Sequence, residues 1–292
     1  MKFLLIIGLI FANGTIPQEN EIVLNVDNEQ VKVVNRSDFN IPFLDFPVMN
    51  HRLLDSMVEK LALEVKKEPV NAMLDERGNI IPEVVGYVID KPELKKSLAS
   101  AFFEHGPTEL RIPTIPVYPK VDSEVIANIS TKLIGHYITF YNSGNKERSH
   151  NIDLATEAIN NYVLFPGETF SFNEVVGKRT ASKGYKPAPV IVRGELSEGI
   201  GGGICQVSST LFNAADRSGM KIVERYSHSK QVPYVPPGRD ATVSWQGPDF
   251  SFKNIYNQPI LIRAKSFHGQ MVVLLYSSED INVEKRKVPG MS

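Results

Sequence analysis

The chain has 292 residues, 42% of them hydrophobic, which suits one large or two modest cored domains and excludes disorder by composition. Its 32 basic and 33 acidic residues leave a formal net charge of -1, so the balance gives no support to whole-chain binding of nucleic acid or acidic polymers. At the start, "MKFLLIIGLIFANG" puts Lys2 ahead of an apolar run from Phe3 to Phe11 with small residues after it, the layout of a secretory signal. That run is far shorter than the roughly 20 residues a spanning helix needs. Residues 1–19 are therefore expected to be a signal peptide or a weak N-terminal anchor. Charged residues interrupt every later apolar run, so no further membrane span is expected and the mature chain is expected outside the cytoplasmic membrane.

Residues 20–120 read as a small α+β domain. "EIVLNV" and "VKVVN" alternate apolar and polar side chains as half-buried strands do. "HRLLDSMVEKLALEVKKEPVNA" carries Leu53, Leu54, Met57, Leu61, Leu63 and Val65 at helical spacing. "ERGN" reads as a turn, and "VVGYVIDKPELKKSLASAFFEHG" as a strand, a turn and a second helix. Asp90 is the expected N-cap of that helix, with Pro92 near its start and Gly106 as its stop. The alternating prolines of "RIPTIPVYPK" predict an extended segment, and a domain boundary is expected near residues 118–125.

Residues 121–280 read as a second domain. Ile152, Ala155, Ala158, Ile159 and Val163 predict a helix ended by Pro166 and Gly167. "ETFSFNEVVG" and "APVIVRGEL" read as strands, Gly199–Gly203 as a Gly-rich loop, and residues 206–217 as a helix closed by Gly219. "KIVERYSHS" and "DATVSW" are expected strands, followed by a closing hairpin that turns through His268, Gly269 and Gln270. Residues 281–292 are expected to form a solvated charged tail. This order predicts an α+β fold: a mixed, mostly antiparallel sheet with a few helices, preceded by the small α+β domain.

Cys205 is the single cysteine, so no internal disulfide can form. Free cysteine is among the most buried residue types, and its count alone leaves core filler ahead of reactive thiol. Its placement argues the other way. A helix starting at or just after Cys205 would put the thiol in the field of the helix N-terminus, which lowers a thiol pKa. The glycines before it, Gly202 and Gly203, allow close approach, and the N–H groups from there to Gln206 can converge on an oxyanion. Ser208 and Ser209 in the first turn would either cap N–H groups or contact a bound carboxylate.

A cysteine nucleophile needs a base. Of His51, His105, His136, His150, His228 and His268, the last but one lies in the densest polar and aromatic stretch, "ERYSHSKQVPYVPPGRDATV". There Asp240 would either orient the imidazole or serve as a turn residue, with Asp249 or a backbone carbonyl as the alternative third member. Arg225 and Arg239 would either bind a carboxylate or form a solvated basic face. Tyr234 in the same stretch and Trp245 just after it are expected to line the substrate site. Neither a metal nor a cofactor is expected: there is no Cys pair, no HxxxH, and no Lys-Ser/Thr pair after the glycines.

Four blocks, "FPGETFSFNEVVGKRTASKGYKPAPVI", "GIGGGICQVSSTLFNAA", "VERYSHSKQVPYVPPGRDATVSW" and "DFSFKNIYNQPILIRA", together resemble the VanW family and stand in that family's order. The upstream "RSHNIDLATEAINNYVLFPGE" is similar to the helix that leads into that domain, and residues 50–118 resemble the peptidoglycan-binding domain that often precedes it. The resemblance implies a secreted, cell-wall-associated L,D-transpeptidase that takes peptidoglycan stem peptides. Cys205 matches the cysteine to which the family's thioester chemistry is ascribed. His228 would be its base, with oxyanion donors around Gly203 and Gln206. The same blocks are compatible with a non-catalytic peptidoglycan-binding protein and with a thiol peptidase or amidase.

Overall fold

The computed structural model describes residues 18–41, 46–192 and 195–290. The expected signal segment lies, up to residue 17, outside the described residues. The chain divides into two compact units, the first made of residues up to 71 and 83–120, the second of residues 72–82 and 121 onward.

The first unit opens with an antiparallel hairpin of β1 (Glu21–Val26) and β2 (Glu29–Asn35). Asp27 and Asn28 turn it at φ 48° and 67°, a left-handed pair that these two residue types tolerate best after glycine. Helix α1 (His51–Val65) starts where the Asn50 side chain accepts the N–H groups of Arg52 and Leu53. It buries Leu54, Val58, Leu61 and Val65 and leaves Leu53 and Leu63 exposed, so its apolar stripe is narrower than the spacing implies. The chain then contributes β3 (Met73–Leu74) and β4 (Ile80–Ile81) to the second unit before returning at β5 (Gly86–Ile89). Asp90 caps Glu93 N–H at the start of α2 (Lys91–Phe103), with Pro92 in the first turn. β6 (Thr108–Arg111) joins β1 in parallel, and β7 (Thr114–Val117) pairs with β5. Ile22, Leu24, Val58, Leu61, Leu94 and Leu98 form the core of this unit.

The second unit continues with α3 (Ser123–Ile129), β8 (Lys132–Phe140), α4 (Lys146–Ile159), β9 (Tyr162–Leu164), β10 (Thr169–Ser171) and α5 (Phe172–Val176). After these come β11 (Pro187–Val192), β12 (Glu195–Ile200), α6 (Ile204–Arg217), β13 (Lys221–Glu224), β14 (Ser251–Lys253), β15 (Ile260–Phe267) and β16 (Gln270–Ser277). An antiparallel sheet in the order β8-β16-β15-β9 is closed by the two-residue turn His268-Gly269, at φ 48° and 81°. A smaller antiparallel sheet runs β10-β14-β13, and β11 and β12 form a separate hairpin. The architecture is α+β, with antiparallel pairing throughout this unit.

Helix α6 is the central element. It is buried all round: Val207, Leu211, Ala214 and Ala215 are wholly enclosed, as are the polar Ser208, Ser209, Thr210 and Asn213. It lies so close to β8 that a Cβ at Gly135 would stand 2.7 Å from Ala214 O. Such a helix must satisfy its own polar side chains, and it does so on its neighbours. Thr210 Oγ1 lies 2.8 Å from Thr139 Oγ1 on β8, and Asn213 Nδ2 donates to Arg239 O at 2.8 Å.

Several segments depart from the sequence expectation. The helix expected to run to Pro166 stops at Ile159, where Asn160 N–H turns back to Thr156 O and Asn161 takes φ 64°, and Val163 lies on β9 instead. Of "KIVERYSHS" only Lys221–Glu224 is a strand, and the expected loop at Gly199 begins as the end of β12. "NEVV" is helical, because Ser171 Oγ accepts Glu174 N–H and starts α5. "DATVSW" is not a strand; buried hydroxyls on α6 hold its backbone, Ser208 Oγ donating to Ala241 O at 2.6 Å and Ala241 N donating to Ser209 Oγ at 2.8 Å. The tail, expected to be solvated, folds back onto the second unit through residue 290. Ile281 and Val288 enter the core, and Pro289 O accepts the Tyr137 hydroxyl at 2.9 Å. Apolar residues spaced among charges are too sparse to register as an element, yet two of them suffice to anchor the segment. No helix among the described residues is long and apolar enough to cross a membrane.

Candidate active site

Cys205 is the second residue of α6. Gly203 precedes the helix as its N-cap at φ 108°, a conformation that excludes most side chains, and no side chain caps the helix there. Ile204 N donates to Gly201 O and Gln206 N to Gly203 O. Among the described residues no backbone acceptor takes the N–H of Cys205, one of the donors that a helix start leaves unpaired. Gly202 is tied down behind it: Asn151 Nδ2 donates to Gly202 O at 3.0 Å and to Lys186 O at 2.9 Å, and a Cβ at 202 would stand 2.5 Å from Ala188 O. The glycines therefore make room for the protein's own backbone as well as for close approach.

The polar stretch after β13 closes over this helix end. His228 and Asp240 side chains are only 6% and 9% exposed. Asp240 Oδ2 accepts both the backbone N–H of His228 and its ring Nδ1, each at 2.6 Å. With Nδ1 bonded to Asp240, the other ring nitrogen of His228 is the one left for the Cys205 thiol, and the ring acts on that thiol more strongly than any other group. The half-buried sulfur also lies 3.6 Å from Val243 O and 3.9 Å from Thr242 Oγ1.

The electrostatics follow from these contacts. Burial pushes the Cys205 thiol up, but the hydrogen bond and the charge of His228 outweigh it and hold the thiol below its ordinary value. Burial pulls the His228 ring down, while its bond to and the charge of Cys205, then Asp240, raise it above an ordinary imidazole. Asp240 sits low: burial raises it, but the backbone and ring N–H groups of His228 lower it further. The lowered thiol and the raised ring both favour a thiolate beside an imidazolium.

The remaining sequence-predicted residues fall into two groups. Tyr234 stands close enough to feel the charge of Cys205, and Trp245 follows two residues after Val243, whose carbonyl lies 3.6 Å from the sulfur. Tyr234 is buried, and its hydroxyl is pushed far above the ordinary phenol range, first by burial and then by the negative charge of Cys205. Trp245 is 45% exposed on the turn that follows Val243, where Ser244 N donates to Pro248 O at 2.9 Å. The others are engaged by the protein. Ser208 and Ser209 are fully buried and donate to Cys205 O at 3.1 and 2.6 Å, so neither caps an N–H group in α6. Arg239 bonds Asn213 Oδ1 and Asp216 Oδ2, both at 2.7 Å, and stacks on Phe212. Arg225 donates to Asp240 O at 2.7 Å and also lies over the Phe212 ring, 5.0 Å from its centroid. Gln206 donates from Nε2 to Thr139 Oγ1 and Phe140 O, both at 3.0 Å, and is an anchor rather than a side-chain oxyanion donor. His150 lies against Gly184 O at 2.9 Å, away from the thiol's partners.

Two arginines that the sequence reading passed over also face this helix end. Arg148, at the start of α4, donates to Gln206 Oε1 at 2.9 Å, and Arg179 donates to Asn173 Oδ1 at 2.7 Å. Both feel the charge of Cys205. Each lies inside a block quoted above, Arg148 opening "RSHNIDLATEAINNYVLFPGE" and Arg179 within "VVGKRTASKGY", and that location was the available signal.

Residues 147–276, which hold all of these groups, match the family described as "VanW like protein". The chain is 52% identical over 98% of its length to the uncharacterized protein YoaR of Bacillus subtilis (strain 168), covering 94% of that protein. The chain belongs to the VanW family. A second relative, the Vancomycin B-type resistance protein VanW of Enterococcus faecalis (strain ATCC 700802 / V583), is 33% identical over 109 residues, which is 36% of this chain and 40% of that protein. Residues 40–111 match the family described as "Putative peptidoglycan binding domain". A VanW domain joined to that domain makes this a cell-wall-associated protein with peptidoglycan as its partner. No solved structure matches the chain.

Proposed function

We propose that this VanW-family protein is a cysteine acyltransferase of L,D-transpeptidase type acting on peptidoglycan stem peptides. The observation that carries the reading is Asp240 Oδ2 holding His228 Nδ1 at 2.6 Å, with that ring acting on the Cys205 thiol at the N-terminus of a buried helix. Cys205 thiolate attacks the carbonyl carbon of the third residue of a donor tetrapeptide. The free N–H of Cys205 receives the oxyanion. The C–N bond to the terminal D-Ala breaks, and the leaving amine takes the proton of His228, which leaves a thioester. The side-chain amine of a neighbouring stem then attacks, its proton passes to His228, and the C–S bond breaks to give a 3-3 cross-link and the free thiolate. The apolar leader at residues 3–11 supports export to the wall.

The test is direct. Purified protein is incubated with muropeptides bearing tetrapeptide stems, and products are read by mass spectrometry. Dimers and free D-Ala from the wild type, with neither from Cys205→Ala, are the expected result. Free D-Ala with tripeptide and no dimer would make water the acceptor and the protein a peptidase. Binding to purified wall without turnover in either protein would overturn the catalytic reading in favour of a binding module.

A further inference from the structure

Two cations sit beside the thiol with donors to spare. Arg148 spends Nη2 on Gln206 Oε1, and Arg179 spends Nη1 on Asn173 Oδ1. Arg148 Nη1 and Arg179 Nη2 are buried and have no hydrogen-bond partner among the described residues. Neither guanidinium makes an ion pair among the described residues; Asp249, which favours the charge of Arg179, has its carboxylate bonded by Ser171 Oγ, Asn173 N and Phe250 N. Both arginines lie along the Gly201–Gly203 loop. A Cβ at Gly203 would stand 3.1 Å from Arg148 Nη1, and one at Gly201 would stand 3.4 Å from Arg179 Cβ. The loop that leads into Cys205 therefore rests on both side chains.

A buried guanidinium with an idle donor is costly, and two of them at one helix end are a strong departure from the rule that buried polar groups are satisfied. Arg225 and Arg239, the arginines that the sequence offered for carboxylate recognition, are already bonded and stacked within the protein. The unsatisfied donors have the chemistry of a carboxylate clamp, since guanidinium N–H groups match carboxylate oxygens. The proposed donor supplies one at the right reach, because the terminal carboxylate of a tetrapeptide lies one residue, roughly 3.5 Å of chain, beyond the carbonyl that Cys205 attacks.

We infer that Arg148 and Arg179 form a paired cationic site at the Gly201–Gly203 loop that binds the free C-terminal carboxylate of the donor peptide. The inference rests on the acyl-transfer reading for the identity of the ligand, and on the two idle donors for the site itself. It makes the protein selective for a donor ending one residue past the scissile carbonyl.

The anion site is tested without any peptide. Cys205 is alkylated at pH 7 with iodoacetate and with iodoacetamide, reagents that differ in one negative charge beside the reacting carbon. The wild-type ratio of the two rates is expected to exceed that of free cysteine by about tenfold or more, the scale of one charge-assisted hydrogen bond. Arg148→Gln and Arg179→Gln should bring the ratio down toward free cysteine, while the lysine variants, which keep the charge, should retain most of it. His228 is present in every variant, so its charge does not enter the difference. A wild-type ratio equal to that of free cysteine, or a raised ratio that survives both glutamine variants, overturns the inference. A second arm needs no variant: wild-type turnover of tetrapeptide donor ending in a carboxylate against the same donor ending in a carboxamide, expected to favour the acid by about tenfold or more. Equal turnover overturns the carboxylate site and leaves acyl transfer standing. A raised iodoacetate ratio with no turnover of either donor does the reverse.

Discussion

The sharpest consequence of the site concerns the thiol itself. In His228→Gln, Cys205 loses an imidazolium partner whose side chain is 6% exposed. A unit charge at about 4 Å in a medium of effective dielectric about 20 is worth roughly 4 kcal/mol, which sets the upper scale of the loss. Burial, which pushes the thiol up, is then opposed by the contacts from Val243 and Thr242 and by the charges of Arg148 and Arg179, so the Cys205 thiol is expected to titrate higher than in the wild type. The thiolate fraction at pH 7 falls with that rise, and the higher nucleophilicity of the more basic thiolate, with a Brønsted slope of about 0.45, returns only part of the rate. The alkylation rate with iodoacetamide at pH 7 should therefore fall by about tenfold or more, and the variant's pH profile from 5 to 10 should move to the alkaline side. A His228→Gln profile that superposes on the wild type would refute the reasoning, because it would mean the ring carries none of the thiol's depression. The same signs set the activity profile of the wild type. The thiolate–imidazolium pair appears as pH rises through the lowered Cys205 value and disappears as it passes the raised His228 value, so turnover should be bell-shaped between the two.

Asp240→Asn keeps the shape of the carboxylate but removes the charge that helps raise His228. The alkaline limb of the profile should move to lower pH and turnover should fall by about 100-fold or more, read from initial rates across the pH range. Ser209→Ala leaves the buried Ala241 N–H unpaired next to Asp240, which should cost about 1–3 kcal/mol of stability in a denaturant titration. Deleting residues 281–292 removes Ile281 and Val288 from the core and leaves the Arg217 bond to Val288 O unmade. Burial of two such side chains is worth about 3–6 kcal/mol, so thermal unfolding should shift down by many degrees; an unchanged midpoint would show the tail to be dispensable.

Much of the fold was legible because local patterns carry it. The hairpin turn at His268-Gly269, the cap at Asp90, and the apolar stripe of α4 through Ile152, Ala155 and Ile159 are each written within a few neighbouring residues. Cys205 could be singled out in the same way, since a Gly-rich loop running into a helix is a local signal. Residues 240–245 escaped this kind of reading. Their alternation is that of a strand, but their hydrogen bonds go to side chains on α6, and which partner a backbone finds is settled by tertiary contact.

The same division runs through the site. The sequence by itself determined the chemistry available: one thiol at a helix start, one histidine in a polar aromatic stretch, and an aspartate twelve residues later. Only the tertiary structure decided which groups serve each other. It set Asp240 Oδ2 2.6 Å from His228 Nδ1, absorbed Arg225 and Arg239 into contacts of their own, and delivered Arg148 and Arg179 from α4 and the segment after α5 to the loop before Cys205. The physical reason is burial. A charged side chain is free to bind a ligand only where the fold withholds a partner from it, and no run of residues records where partners are withheld.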